Sequence, residues 1–231
     1  MSLRYDLVIF DCDGTLVDSL DGIVRSANLS LAEAGGVSPL SHACIAAVVG
    51  LSLHEAMAVL MPEASEARRD QAVAAYKSHY QRLADGGELT TPLFPGVRAT
   101  LDALRRQGVT LAVATGKSLR GLERTLREQS LEGYFMVRMT SDHAPSKPHP
   151  SMIEQILAAT GHAPERTLMV GDTVFDLDMG RNAGVRTAAV TFGCHGREEL
   201  AGSRPDHWLE RMPDLLPVVG VADSDAAGAL S

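Results

Sequence analysis

A run of four apolar residues, Leu7-Val8-Ile9-Phe10, stops abruptly at two carboxylates in the string Asp11-Cys12-Asp13-Gly14-Thr15. A short apolar run bounded by a glycine suits a buried parallel strand. Side chains alternate faces along a strand. A backbone extended to Asp13 therefore points Asp11 and Asp13 to one side and Cys12 to the other. Two carboxylates at the end of a buried strand repel each other, and an unpaired buried ion is costly. The pair calls for a cation, and oxygen ligands at this density favour a hard one such as Mg²⁺. Gly14-Thr15 supplies a turn whose N–H groups can face an anion.

The residues that follow change character. Ser19 is placed to cap a helix over residues 19–34, with Leu20, Ile23, Val24, Ala27 and Leu31 near helical spacing and Gly35-Gly36 at its end. A short helix opens at Ser41. Ser52 with Glu55 has the form of a capping box for a helix over 53–61, stopped by Pro62. The longest helical pattern runs over 63–83, and its stripe of Val73, Tyr76, Tyr80 and Leu83 reads as core packing. Residues 18–91 thus carry helices and no strand. Thr90-Thr91-Pro92-Leu93-Phe94-Pro95-Gly96 marks a domain boundary.

From there strand and helix alternate, the signature of a parallel sheet covered by helices. Strands are expected over 109–114, 134–139, 167–170 and 185–191, with an edge strand near 207–209. Helices are expected over 97–107, 118–129, 150–160, 173–181, 198–201 and 213–218. The tail, 221–231, is rich in Ala, Gly, Ser and Asp and is expected to be disordered. The fold class is α/β: a Rossmann-like core of residues 1–17 and 92–220, with a helical domain inserted after the first strand.

In open parallel sheets, ligands sit beyond the carboxyl ends of the strands, near the switch in strand order. Asp11 and Asp13 follow the first predicted strand, Thr115-Gly116-Lys117 the second and Gly171-Asp172 a later one. Thr115 offers a hydroxyl, and Gly116 permits close backbone approach; both suit a phosphoryl oxygen. Prolines at 145 and 148 hold the segment around Lys147. Asp176 lies one helical turn after Asp172 and on the same side.

The string Asp-x-Asp-Gly-Thr-Leu-Val-Asp-Ser at residues 11–19 resembles motif I of the haloacid dehalogenase superfamily of phosphatases. Ala114-Thr115-Gly116-Lys117 resembles motif II, with Gly116 where phosphoglycolate phosphatase-like members carry Asn. Lys147-Pro148 resembles motif III, and Gly171-Asp172-Thr-Val-Phe-Asp176 resembles motif IV. The order of the four motifs matches, and they span nearly the whole chain to Phe192-Gly193. The helical insert resembles the C1-type cap of this superfamily. The resemblance, closest to phosphoglycolate phosphatase-like members, implies a Mg²⁺-dependent phosphatase that hydrolyses a small, phosphoglycolate-like phosphomonoester through an aspartyl-phosphate. It makes Asp11 the nucleophile and Asp13 the general acid and base. Thr115, Gly116 and Lys147 become phosphate contacts. Asp11, the Asp13 carbonyl and Asp172 become metal ligands, with Asp176 outside them as an acceptor for bound water or Lys147. Lys117 is a weaker candidate, and His143 and His149 lie close by in sequence.

Asp13 favours phosphoryl transfer over dehalogenation, since dehalogenases of the superfamily lack the second Asp. Phosphomutases resembling β-phosphoglucomutase carry a His where Ile23 falls and basic residues around the cap loop, where Val49 and Leu53 stand. The loop Gly50 to His54, with Arg25, is expected to discriminate substrates. A mutase or pyrophosphatase on the same scaffold, and a non-catalytic phosphometabolite-binding protein, are the alternatives. The net charge of −8 argues against nucleic acid as a bulk partner. It leaves a small phosphorylated metabolite open, because a metal and one Lys reverse the local sign. The chain has 3 cysteines and no C-x-x-C, which suggests neither disulfides nor zinc. With no signal-peptide pattern and no stretch of membrane-spanning length, cytoplasmic residence is the expectation. The sequence is silent on oligomeric state.

Overall fold

The structure, a computed structural model, describes residues 3–35 and 38–221. The expected disorder of the tail concerns residues that, from 222 on, lie outside this range. Val221 does not belong to the tail: it is buried against the core, and its N–H donates to the Leu216 carbonyl.

The core is a sheet of β1 (Leu7–Phe10), β2 (Thr110–Thr115), β3 (Val137–Thr140), β4 (Thr167–Gly171), β5 (Arg186–Val190) and β6 (His207–Leu209). The spatial order is β3-β2-β1-β4-β5-β6, with every pairing parallel. Alternation along β1 divides its residues between two cores. Val8, Phe10 and Cys12 join one cluster with Val113 and Val170. Leu7 and Ile9 join the other with Ala112 and Met169. The first face is covered by α5 (Val97–Arg106), α6 (Leu119–Glu128) and α10 (Leu215–Val219), the second by α7 (Ser151–Thr160) and α8 (Val174–Asn182). A short α9 (Arg197–Gly202) packs near α8. Strand β3 starts at Val137, three residues later than the sequence pattern suggests. Parallel pairing begins only after the Met136 N–H reaches the Leu111 carbonyl at 2.8 Å, and Met136 itself is exposed.

Between β1 and β2 lie α1 (Leu20–Gly35), α2 (His42–Ala46), α3 (Leu53–Leu60) and α4 (Glu66–Asp85). They pack on one another around Leu31, Met57, Met61, Ala72 and Val73, a third apolar cluster separate from the sheet. Ser41 and Ser52 cap α2 and α3 by accepting from the N–H of Cys44 and of Glu55. The chain leaves and re-enters the core at one place. Val17 bridges Leu93 in antiparallel sense, and the Asp18 N–H donates to the Pro92 carbonyl at 2.9 Å.

Candidate active site

Register brings the acids together. Phe10 is level with Val113 on one side and Val170 on the other. Asp11 is therefore level with Ala114 and Gly171, and Thr115 and Asp172 each lie one residue further along. Adjacent strands are about 4.8 Å apart, so three neighbouring strands deliver Asp11, Thr115 and Asp172 to one spot. That spot is where the strand order reverses: β2 and β3 lie to one side of β1, and β4 to β6 to the other.

Asp11, Asp172 and Asp176 offer carboxylate oxygens within 4.8 Å of one another, and all three are buried. Lys147, with no exposed surface, enters the cluster. Its Nζ stands 2.8 Å from Asp11 Oδ1 and 2.6 Å from Asp176 Oδ1. The Lys147-Pro148 peptide is cis. Burial works to lower the Lys147 pKa, but Asp11 and Asp176 outweigh it and hold the ammonium above its ordinary range. The charges do not balance: one ammonium faces three carboxylates. Burial, countered by Lys147 and aided by Asp176, raises the Asp11 pKa to about 6. Burial with Asp176 and Asp11 raises that of Asp172 to about 8.

Backbone geometry tightens the cluster. Thr173 caps α8, and Asp176 completes a capping box: its Oδ2 accepts from the Thr173 N–H and hydroxyl. Asp172 is thereby not the cap residue. Its oxygens instead accept from the Thr15 hydroxyl at 2.7 Å and the Cys194 N–H at 2.8 Å. Gly14, at φ +79°, has no room for a side chain: a Cβ there would lie 2.1 Å from Asp172 Oδ2. Asp11 Oδ2, by contrast, is buried with no hydrogen-bond partner among the described residues. A buried, unpartnered carboxylate oxygen in a cluster with excess negative charge fits a hard divalent cation. Asp11, Asp172 and Asp176 are the carboxylates that could hold it.

Asp13 stands apart from this cluster. Its carboxylate accepts from Lys117 Nζ at 2.6 and 2.7 Å and from the Ser19 hydroxyl. Ser19, expected as a helix cap, thus turns its hydroxyl to Asp13. Lys117 was the weaker candidate in the sequence. In the structure it is nearly buried, and Asp13 lifts its pKa against the lowering effect of burial. No local pattern marks this pair, because the two residues are 104 positions apart.

A cavity of about 1190 Å³ opens above Asp11, Asp13 and Thr115, bounded by the sheet ends, α1 to α4, one side of α6 along its length and the loop after β3. Gly50, Gly116 and His54 line it. The close approach permitted by Gly116 is that of the cap loop: a Cβ would lie 2.4 Å from the Leu51 carbonyl oxygen and 2.6 Å from that of Gly50. The loop is also tied down by the Ser52 N–H, which donates to the buried Ser146 hydroxyl at 2.7 Å. Gly50, at φ +98°, lies against Thr173. His54 is largely exposed, 3.8 Å from Asp70. Arg25 pairs with Glu88 at 2.5 Å and does not line the cavity. His143 and His149 are exposed and also lie outside its lining. Tyr76 and Tyr80, expected as packing residues, are only partly buried. They stack with ring centroids 6.0 Å apart, line the cavity, and place the Tyr80 ring 6.0 Å from Lys117 Nζ.

Fold and site together define a class: a parallel α/β protein with a helical insert after its first strand and a buried acidic centre at the strand ends. The model of the haloacid dehalogenase-like hydrolases matches residues 8–190, and the chain belongs to that family. It is 32% identical over 224 residues to a protein named pyrophosphatase PpaX from Anoxybacillus flavithermus, covering 95% of this chain and 99% of that one. Among solved structures, a haloacid dehalogenase-like family hydrolase from Streptococcus pneumoniae superposes with a TM-score of 0.80 at 26% identity, over 93% of this chain and 98% of that one. A predicted phosphoglycolate phosphatase from Haemophilus somnus shares the fold, with a TM-score of 0.83 at 24% identity over 93% of this chain and 98% of that one. Among the described residues, no helix is long and apolar enough to cross a membrane.

Proposed function

We propose that this hydrolase is a Mg²⁺-dependent phosphatase that cleaves a small phosphomonoester through an aspartyl-phosphate on Asp11. The observation that carries the reading is the unpartnered oxygen of Asp11 at the switch point of the sheet, beside Lys147 and two further buried acids. Asp11 attacks phosphorus in line with the leaving oxygen. Thr115 and Lys147 stabilise the charge gathering on the equatorial oxygens. Asp13 protonates the leaving alcohol and then takes a proton from the water that hydrolyses the acyl phosphate. Lys117 and Ser19 hold the Asp13 carboxylate in place. A divalent ion held by Asp11, Asp172 and the Asp13 carbonyl would supply charge neutralisation at the transferring group. Asp176 orients Lys147. Residues 18–91 act as the cap that excludes bulk water, and Gly50 to His54 form its inner loop.

The test is phosphate release from a panel of phosphomonoesters, 2-phosphoglycolate among them, with Mg²⁺ or EDTA. Metal-dependent release that Asp11→Asn lacks supports the reading. No release from any ester by folded, Mg²⁺-loaded protein overturns it. A second reading, a pyrophosphatase, is favoured by the name of the Anoxybacillus relative; turnover of pyrophosphate in preference to every monoester would select it.

A further inference from the structure

Asp172 is enclosed by the loop that follows β5. That strand ends at Val190, and Gly193, Cys194 and His195 beyond it each meet Asp172. A Cβ on Gly193 would lie 2.2 Å from the Asp172 Cβ and 2.5 Å from its Oδ2. The Cys194 N–H donates to Asp172 Oδ2 at 2.8 Å, and the His195 N–H to the Asp172 carbonyl at 3.3 Å. The loop thus supplies one donor to the Asp172 carboxylate, opposite the one from the Thr15 hydroxyl on Oδ1.

The ring of His195, 3% exposed, ties this loop to α8. Its Nδ1 accepts from the Val174 N–H at 3.2 Å. Val174 opens α8, and the first N–H groups of a helix have no partner within it. The capping box satisfies the N–H groups of Thr173 and Asp176 and leaves that of Val174 to His195. An Nδ1 that accepts leaves the ring proton on Nε2. Nε2 is buried with no partner among the described residues, and an orphaned buried donor is costly. Packing alone therefore does not account for a histidine here. An aliphatic side chain would fill the space beside Phe175, whose ring stands edge-on with centroids 5.6 Å apart, and would bury no such donor. What it would lack is the acceptor that Nδ1 provides.

We propose that His195 is a positioning residue for the metal site: by accepting the Val174 N–H it locks the loop of Gly193, Cys194 and His195 to the start of α8, and so holds Asp172 where it can take a divalent ion. This rests on the reading of Asp172 as a metal ligand. It adds to that reading a residue that acts only through Asp172.

Variants that remove or move the acceptor test the claim. His195→Leu keeps apolar bulk and has no acceptor. His195→Asn carries its Oδ1 on Cγ, as Nδ1 is carried in histidine. His195→Gln keeps more of the side-chain volume but carries its oxygen one bond further out. Mg²⁺ affinity of the full chain is measured by calorimetry, and amide exchange at Val174 and Cys194 by NMR in EDTA. Loss of a group that orients a metal ligand costs about 10- to 100-fold in affinity. We expect the Kd for Mg²⁺ to rise at least about tenfold in His195→Leu and to stay within about threefold of wild type in His195→Asn. His195→Gln should resemble His195→Leu. Exchange at both amides should quicken in His195→Leu and His195→Gln and stay slow in His195→Asn. Unchanged Mg²⁺ affinity in folded His195→Leu overturns the inference. So does rescue by His195→Gln equal to or better than that by His195→Asn, which is what a packing role alone requires. If His195→Leu does not fold, the comparison of His195→Asn with His195→Gln decides. A wild-type protein that binds no Mg²⁺ refutes the metal reading of Asp172. The hold of His195 on the loop is then decided by exchange alone, and equal exchange in wild type and His195→Gln refutes it.

Discussion

Gly116→Ala is a change of one methyl group at the junction of cap and core. The added Cβ would lie 2.4 Å from the Leu51 carbonyl oxygen, 2.6 Å from that of Gly50 and 2.9 Å from the Leu51 carbonyl carbon. Contacts of this kind do not fall below 3.0 Å, and ordinary contact begins at 3.4 Å. The cap loop must therefore retreat by at least 3.0 − 2.4 = 0.6 Å, and by 1.0 Å to reach ordinary contact. All three obstructing atoms are backbone, so no rotamer change relieves the overlap. A retreat of 0.6 Å directed along the 2.7 Å bond from the Ser52 N–H to Ser146 would lengthen it to about 3.3 Å, past the usual N–H···O range. Weakening it costs the folded protein up to about 1 kcal/mol. The larger effect is on geometry, since a displacement of about 1 Å near reacting groups can cost about 10²-fold in rate. We expect kcat/KM for any ester that the wild type hydrolyses to fall about 10²-fold. The melting temperature should stay within about 3 °C of wild type, because the apolar clusters of sheet and cap are untouched. Gly133→Ala, where a Cβ meets nothing within 4 Å, is the control and should leave both quantities unchanged. Wild-type kinetics in Gly116→Ala would refute the reasoning, because the cap loop would not need the position it occupies here.

Three further outcomes follow from the buried charges. Lys147→Met leaves three carboxylates within 4.8 Å without their ammonium. Urea denaturation in EDTA should show a loss of about 3–5 kcal/mol, partly restored by Mg²⁺, and a loss below about 1 kcal/mol would contradict the pairing described above. Lys117→Met should lower kcat at least tenfold with a smaller change in KM and displace the pH–rate profile, whereas Lys117→Arg should recover part of the loss; equal effects of both changes would argue against a role in holding Asp13. The folded-state pKa values of Asp11 and Asp172 are raised to about 6 and about 8. A raised folded pKa adds stability that is complete below the unfolded carboxylate value, near 4, and lost as pH climbs through the folded value. The metal-free protein should therefore lose stability from these two groups between about pH 4 and pH 8. Mg²⁺ should raise the melting temperature more at pH 8 than at pH 5, since its ligands must be ionised. A metal-induced shift that is larger at pH 5 would reverse the assignment.

Much of this arrangement is written locally. The apolar run of β1 and the acids after it, the capping serines of α2 and α3, and the alternation of strands and helices after Pro95 depend on neighbours in the chain. Periodicity and turn chemistry therefore expose them. Cys12 falls on the opposite side from Asp11 because a strand has a period of two, and it joins the core with Val8 and Phe10 accordingly. The motifs around Asp11, Thr115, Lys147 and Asp172 are legible for the same reason: each is a strand end or loop whose chemistry lies within a few residues. Their convergence on one point follows from the parallel register, which places those strand ends side by side.

What spans the chain was decided only by packing. Lys117 looks like any solvated loop lysine until β2 and the turn after β1 bring it to Asp13. Ser19 has the chemistry of a helix cap and turns its hydroxyl to Asp13, which the turn after β1 places within reach. Tyr76 and Tyr80 share a stripe with Val73 and Leu83. The period of α4 cannot tell which part of that stripe meets other helices and which looks into a cavity, because the cavity exists only where the cap stops short of the sheet. Gly116 reads as room for a phosphate oxygen, and the fold fills that room with the carbonyls of Gly50 and Leu51. In each case the partner is remote in sequence, so local propensity contains no term for it. The chain by itself determined which residues are candidates for the chemistry. The tertiary structure decided which of them hold one another in place, and what the cap leaves open above them.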